Sequence, residues 1–341
     1  MKILMIFPSF KISNGGAENQ LSLILLELKK KKIKIDYLNK RKLEFLYPFF
    51  YIIKILIKLI SNNYSIIHTH TFNSPAWIIA ILSFIFKFKL IIKITLSGKK
   101  SRLNKVENNF FLKKIFIFLF KRDKIHFFSI TKDIKKRLIK IGISPKNIFF
   151  CPNGTIVKKF HKKKFKNKKL IYFGRIIKRK RIFELVELLE KNRNLDISLN
   201  IFGDGPLKNK IYNLIKTKNI SNIFLNKQLK HNRILKKIND FNICINPSTN
   251  EGMSNSILEA QSNGLVVIAR NTVENREIIK NNYTGFLFKN DVELVRLLRK
   301  LNNTKLLETI SLKAYKNINK KHNIKSITNR IFKFYIKITT S

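Results

Sequence analysis

Sulfur is scarce in this chain. Its 341 residues hold two cysteines, Cys151 and Cys244, far apart and each beside apolar residues, which argues against a disulfide scaffold or a thiolate metal site and points to a reducing compartment. Acidic residues are scarce too: 20 Asp plus Glu stand against 70 Lys plus Arg, for a formal charge of +50. A field of that sign attracts polyanions, but the basic residues are scattered and no recognised nucleic-acid motif accompanies them, so a specific nucleic-acid binder is not expected. Long apolar runs are also missing. Leu43 to Ile60 and Phe110 to Arg122 contain internal lysines and fall short of the roughly 20 uninterrupted apolar residues of a membrane span. The opening Met1-Lys2-Ile3-Leu4-Met5-Ile6-Phe7 is too short for a secretory signal and runs on toward a glycine loop, so a cytoplasmic location is expected.

What the chain does have is ample apolar content, 45% of its residues, at a length beyond that at which a single core usually stops growing. Two domains are therefore expected. The most informative stretch is Asn250 to Gly264, N-E-G-M-S-N-S-I-L-E-A-Q-S-N-G. An alternating apolar strand precedes it and stops at Pro247; Ser254 to Asn263 then reads as a helix, with Gly264 as its stop. Strand, loop and helix in that order put the backbone N–H groups of Gly252, Met253, Ser254 and Asn255 at a helix N-terminus, which favours phosphate. Carboxylates beside such a site repel the anion, so Glu251 and Glu259 suit neutral donors, the hydroxyls of a ribose or hexose. Ser256-x-x-Glu259 also fits a capping box, and Glu251 an ordinary loop charge.

Other pieces of the second half follow in a set order. Tyr172-Phe173-Gly174-Arg175 reads as a strand end with Lys180 five residues after the Arg; Ile201 to Pro206 is I-F-G-D-G-P; then come the two glutamates, the apolar run Val266 to Ala269, and Glu277-Ile278-Ile279 leading to Gly285-Phe286-Leu287. In this order the elements resemble a GT-B glycosyltransferase of the large retaining family 4. The first half is less sharp: a strand Lys2 to Phe7, a helix opened by Gly15 and Gly16, the strand end Ile66-Ile67-His68-Thr69-His70, and Cys151-Pro152-Asn153-Gly154. Relatives often carry a His after the next strand, where this chain has Ile94-Thr95-Leu96-Ser97-Gly98; His68 and His70 are candidate substitutes, although strand-end histidines of this kind are more often structural.

The resemblance implies an α/β chain of GT-B type, with two Rossmann-like domains facing a cleft and a C-terminal helix crossing back to the first. Residues 1–160 would bind the acceptor, 161–320 the nucleotide sugar, and 321–341 would form the returning helix, with the lysine-rich run 158–169 as hinge. Arg175 and Lys180 are implied diphosphate ligands, Gly174 belongs to their loop, Gly15 and Gly16 form a loop facing donor and acceptor, Glu251 would hold the transferred sugar and Glu259 the ribose. No Asp-x-Asp tripeptide occurs, so no metal and no cofactor are expected beyond the nucleoside-diphosphate sugar itself. The implied activity is retaining hexosyl transfer from a nucleoside-diphosphate sugar; a UDP-sugar is the preferred donor, and a hydroxyl of a membrane-linked saccharide or similar acceptor in surface glycan synthesis is the expected acceptor. A sugar-nucleotide epimerase or a non-catalytic nucleotide-sugar sensor on the same fold stays open.

Two segments suggest where such a chain would work. Glu44, Tyr47, Tyr51, Lys54 and Lys58 form one narrow polar stripe on an otherwise apolar helix, and Phe110 to Arg122 combines aromatic bulk with flanking cations. Both suit the interfacial zone of an anionic bilayer, at the inner face of the cytoplasmic membrane; helices buried against a sheet are the alternative.

Overall fold

Strands in both halves are short unbroken apolar runs, such as Leu90-Ile91-Ile92 and Val266-Val267-Ile268, all fully buried, the pattern of parallel strands covered on both faces. The computed structural model describes residues 1–7, 16–39, 48–96, 98, 101–165 and 168–340. The chain divides into two compact units, Met1–Asn153 with Ile324–Ser341, and Gly154–Asn323.

In the first unit the strands are β1 (Lys2–Phe7), β2 (Lys34–Asn39), β3 (Ile66–Thr69), β4 (Lys89–Ile94), β5 (Ile125–Ser129) and β6 (Ile148–Phe150), with a helix or helices in every connection. They form one parallel sheet in the order β2-β1-β3-β4-β5-β6. The order reverses between β1 and β3, the switch point at which the loops leaving neighbouring strands diverge and open a crevice. Gly16 opens the helix Gly16–Lys29 there, while Gly15 lies outside the described residues. The last helix, Ile324–Thr340, returns to this unit because Ile327, Ile331, Tyr335 and Ile338 recur at helical spacing and bury one stripe with Leu21, Ile24 and Leu28.

The second unit repeats the architecture with β7 (Lys169–Phe173), β8 (Ser198–Phe202), β9 (Ile223–Asn226), β10 (Ile243–Asn246), β11 (Val266–Arg270) and β12 (Phe286–Phe288), ordered β12-β11-β10-β7-β8-β9. Leu170, Leu199, Ile201, Val266, Ile268 and Phe288 are among the residues of its core. Here the reversal lies between β7 and β10, so the loops leaving those two strands flank the crevice.

Two expectations need correction. The first division of the chain falls after Asn153, ahead of the lysine-rich run, which belongs to the second unit: Phe165 is buried in its core and Lys163 Nζ donates to the Asn239 carbonyl at 2.8 Å. The helix Pro48–Ile60 is also turned differently from the stripe reading. Tyr51 is buried with Ile55 and Leu59, while Phe49, Phe50, Ile57 and Ile60 are exposed. A tyrosine ring carries enough apolar area to take a core position, so counting it as polar rotated the helix by the wrong amount. Residues 41–47, including Glu44 and Tyr47, lie outside those described.

Candidate functional site

The loop after β7 is held from below by the loop after β8. Gly174 N–H donates to Phe202 O at 3.0 Å and Ile176 N–H to Asp204 O at 2.8 Å. This contact explains the glycines of I-F-G-D-G-P. A Cβ on Gly203 would lie 2.0 Å from Gly174 O, and one on Gly205, whose φ is +152°, would lie 2.4 Å from Ile176 O. Tyr172 adds a brace, its hydroxyl donating to Arg175 O at 2.8 Å. Arg175 itself is exposed. The chain then makes a 3-10 turn, Lys178–Lys180, and leaves it through Arg181 at φ 53° before the helix Ile182–Glu190.

That turn is stitched to the loop after β10. The Arg179 carbonyl accepts from Thr249 N–H at 3.0 Å and from Ser248 Oγ at 3.2 Å, and the Arg179 guanidinium donates to Asn250 O at 3.1 Å. Beneath these bonds Lys180 Nζ is in direct contact with Glu251 Oε1, both side chains nearly buried. Burial, then Arg179 and Arg175, bring the Lys180 pKa down to about 7. The Glu251 carboxylate works against that fall by favouring the ammonium form.

The helix Asn255–Ser262 begins at an N-cap, Ser254, whose side chain makes no capping bond, because its Oγ accepts from Asn246 Nδ2 at 2.9 Å and lies 3.0 Å from Ser256 Oγ. Ser256 is thus inside the helix, and the capping-box alternative does not apply. Gly252, Met253 and Ser254 are buried, with Asn255 half-buried, along the approach to the helix N-terminus. Glu259, in the second turn, is buried; burial raises its pKa to about 8, and its Oε1 is 3.5 Å from His231 Nε2. Burial lowers the pKa of His231. Near neutral pH, Glu259 is therefore largely a carboxylic acid, able both to donate to and to accept from a hydroxyl.

Within the second unit, then, Gly174, Arg175, Lys180, Glu251, Gly252, Met253, Ser254 and Asn255 lie on the two loops at the switch point, with Glu259 on the helix that follows. Three contributors escaped the sequence reading. Arg179 was hidden in the run Lys178-Arg179-Lys180-Arg181, where nothing local separates a loop brace from a solvated charge. Asn246 had a signal, a polar residue at a core position of an apolar strand. His231 had none, since it reaches Glu259 from a different helix, His231–Lys237.

His68 and His70 belong to the first unit and are sealed inside it. His68 Nδ1 shares a hydrogen bond of 2.6 Å with the Tyr335 hydroxyl, and burial, then Lys93, lowers its pKa to about 3. His70 is lowered by the same two causes, with His68 adding to them.

Residues 155–322 match the family model described as glycosyl transferases group 1. This unit is therefore similar to the glycosyl transferases of group 1. Among curated relatives, a poly(ribitol-phosphate) alpha-N-acetylglucosaminyltransferase of Staphylococcus aureus is 29% identical over 54% of this chain and 38% of its own length. A UDP-Gal:alpha-D-GlcNAc-diphosphoundecaprenol alpha-1,3-galactosyltransferase of Escherichia coli is 29% identical over 59% of this chain and 57% of its own. The match thus spans between about a third and three fifths of these two relatives. Among solved structures, the Anabaena HepE protein in complex with UDP superposes with a TM-score of 0.78 at 16% identity, covering 99% of this chain and 100% of that one. The family fold is GT-B, in agreement with the two parallel six-stranded sheets.

Proposed function

We propose that this chain is a retaining glycosyltransferase that moves a hexosyl group from a UDP-sugar to a hydroxyl of a lipid-linked or polymeric saccharide in cell-surface glycan synthesis, working at the cytoplasmic side of a membrane. The observation that carries the reading is the loop cluster of the second unit: two cations, Arg175 and Lys180, a carboxylate, Glu251, in contact with one of them, and an uncapped helix N-terminus, all at the switch point of one sheet. The two bacterial relatives, both transferases by name, and the UDP bound to the Anabaena protein support the substrate class.

The chemistry follows from the charges. The bond between the anomeric carbon and the diphosphate oxygen breaks, leaving negative charge on the diphosphate; the acceptor oxygen bonds to that carbon on the same face and passes its proton to the departing phosphate oxygen. Arg175 binds phosphate through its planar fork and Lys180 as a point charge, while the N–H groups of Gly252 to Asn255 add dipoles. These groups carry the leaving-group charge without a metal. Glu251, released from Lys180 as the diphosphate arrives, takes the sugar hydroxyls, and Glu259 takes the ribose hydroxyls. The test is donor turnover by the full chain, read as release of UDP from a panel of UDP-sugars with and without acceptor. Release of no diphosphate from any nucleotide sugar, by a protein that binds UDP, would overturn the reading in favour of a sensor.

A further inference from the structure

The helix Phe110–Phe120 presents two different faces. Phe116 and Phe120 are buried and packed edge-on against Phe72 and Trp77, whereas Phe110, Phe111 and Phe118 are 75%, 72% and 71% exposed. Phe111, Lys114, Phe118 and Lys121 stand at spacings of three, four and three, one outward stripe in which rings alternate with cations. A second element joins it. Ile81, Phe84 and Ile85, at and just beyond the end of the helix Ser74–Leu82, are also exposed, and Phe84 stacks on Phe118 with ring centroids 6.0 Å apart and planes at 26°.

The exposed rings are held in place. The Arg122 guanidinium lies 3.9 Å from the Phe84 centroid and is itself anchored to Ala80 O at 2.6 Å and Leu119 O at 2.9 Å, while Lys114 sits over Phe110 at 4.5 Å. Rings on a rigid support present apolar area without the entropy loss that would follow from ordering them on contact. The stretches Ile81 to Lys89 and Phe110 to Arg122 contain six cations, Lys87, Lys89, Lys113, Lys114, Lys121 and Arg122, and no acidic residue. The face therefore asks for a partner that is apolar at depth and negative at its surface.

We propose that the face formed by Ile81, Phe84, Ile85, Phe110, Phe111 and Phe118 docks on an anionic lipid bilayer, its rings entering the interfacial zone while the exposed Lys114 and Lys121 meet lipid phosphates. Charge selects this occupant over a second copy of the chain, because two molecules of formal charge +50 repel, whereas anionic lipid attracts each cation by about 1 kcal/mol near the surface. Helix ends and aromatic rings at headgroup level need no span, and no helix among the described residues is long and apolar enough to cross a membrane. The proposal uses only the first unit's surface and rests on nothing in the donor site.

A chain this basic adheres to any negative surface, so the experiment has to separate ring insertion from adsorption. Flotation of the full chain would be measured with vesicles of equal parts phosphatidylglycerol and phosphatidylcholine, and of phosphatidylcholine alone, in about 0.1 M and about 0.5 M salt, the higher of which screens charge beyond a few ångströms. The wild type is expected to float with the anionic vesicles at both salts. The variant Phe84→Ser/Phe111→Ser/Phe118→Ser keeps every charge and should partition about tenfold less or weaker still at the higher salt, while Tyr212→Ser, an exposed ring of the second unit, should float as the wild type does. Lys114→Glu/Lys121→Glu should lose binding chiefly at the lower salt. Circular dichroism and an unchanged melting temperature establish that each variant is folded. Equal flotation of the triple serine variant and the wild type at the higher salt would overturn the proposal, leaving adsorption alone. So would a wild-type dimer in sedimentation velocity that the triple variant abolishes while its flotation is unchanged, which would make a second copy the occupant.

Discussion

The carboxyl ends of both sheets carry polar residues, but the two sheets dispose of them in opposite ways. In the second unit Arg175, Lys180 and Glu251 sit on loops, cross-braced by Arg179 and by the Gly203 contact, and at least one of their cations is exposed. In the first unit His68 and His70 at the end of β3, Lys93 in β4 and Ser129 at the end of β5 are enclosed, and Lys93 Nζ, Ser129 Oγ and both ring nitrogens of His70 have no hydrogen-bond partner among the described residues. The difference is one of cover. The returning helix Ile324–Thr340 lays Tyr335 over the His68 ring, at 6.0 Å between centroids, whereas charge in the second unit lies beyond the last core residue of each strand. A strand-end histidine and a strand-end arginine are thus different objects: one is a core group held neutral, the other an exposed cation on a braced loop.

Four measurements bear on that contrast, and the largest effect is expected at the loop cations of the second unit. Arg175→Ala or Lys180→Ala should lower turnover about 100-fold or more, the scale of deleting one donor to a developing anion. Normal turnover in either variant would remove the proposed difference between the units. Next comes the sealed cluster. His68 and His70 titrate in the fold below their unfolded value of 6.5, so the unfolded chain binds more protons between the two pKa values and stability falls as pH drops below about 6.5. Each histidine contributes a slope of about 1.4 kcal/mol per pH unit at most, and urea unfolding at about pH 7 and pH 5 should show the slope reduced in His68→Gln/His70→Gln. A slope untouched by the double substitution would mean that these rings are not the enclosed groups described above.

Glu259→Ala should weaken UDP binding about tenfold with little change in turnover of bound donor, since ribose contacts are equal in ground and transition states. Glu259→Gln, which keeps an amide in place of a largely protonated carboxyl, should lose less; calorimetry with UDP distinguishes the two, and a pure turnover defect in the alanine variant would rule out the ribose role. The smallest effect concerns pH. A bound diphosphate favours the charged form of Lys180, whose pKa in the free protein is about 7, so binding takes up a proton above that pH and UDP affinity should fall as pH rises, by about tenfold per unit at most. Lys180→Met should flatten the profile above pH 7, and an identical slope in that variant would assign the titration elsewhere.

Much of the second unit was legible because its signals are local. The strand end Tyr172-Phe173-Gly174-Arg175, the run I-F-G-D-G-P and the loop from Glu251 to Asn255 each encode a turn in consecutive residues, and the helix expected over Ser254 to Asn263 is found at Asn255–Ser262. The first unit was less legible. Its outward rings alternate with lysines in a pattern that a buried helix can also show, and the turn of the helix Pro48–Ile60 depended on whether Tyr51 faced the sheet.

The order of strands and helices, the excess of positive charge and the place of each loop motif were therefore fixed by the chain's own local pattern, because period, turn residues and composition act between near neighbours. The rest was decided by packing. Contacts such as Lys180 with Glu251, 71 residues apart, His231 with Glu259, and His68 with Tyr335, 267 residues apart, exist only once the sheets are assembled. Burial and proximity, which set whether a side chain is charged, neutral, braced or exposed, are properties of that assembly and of no segment alone.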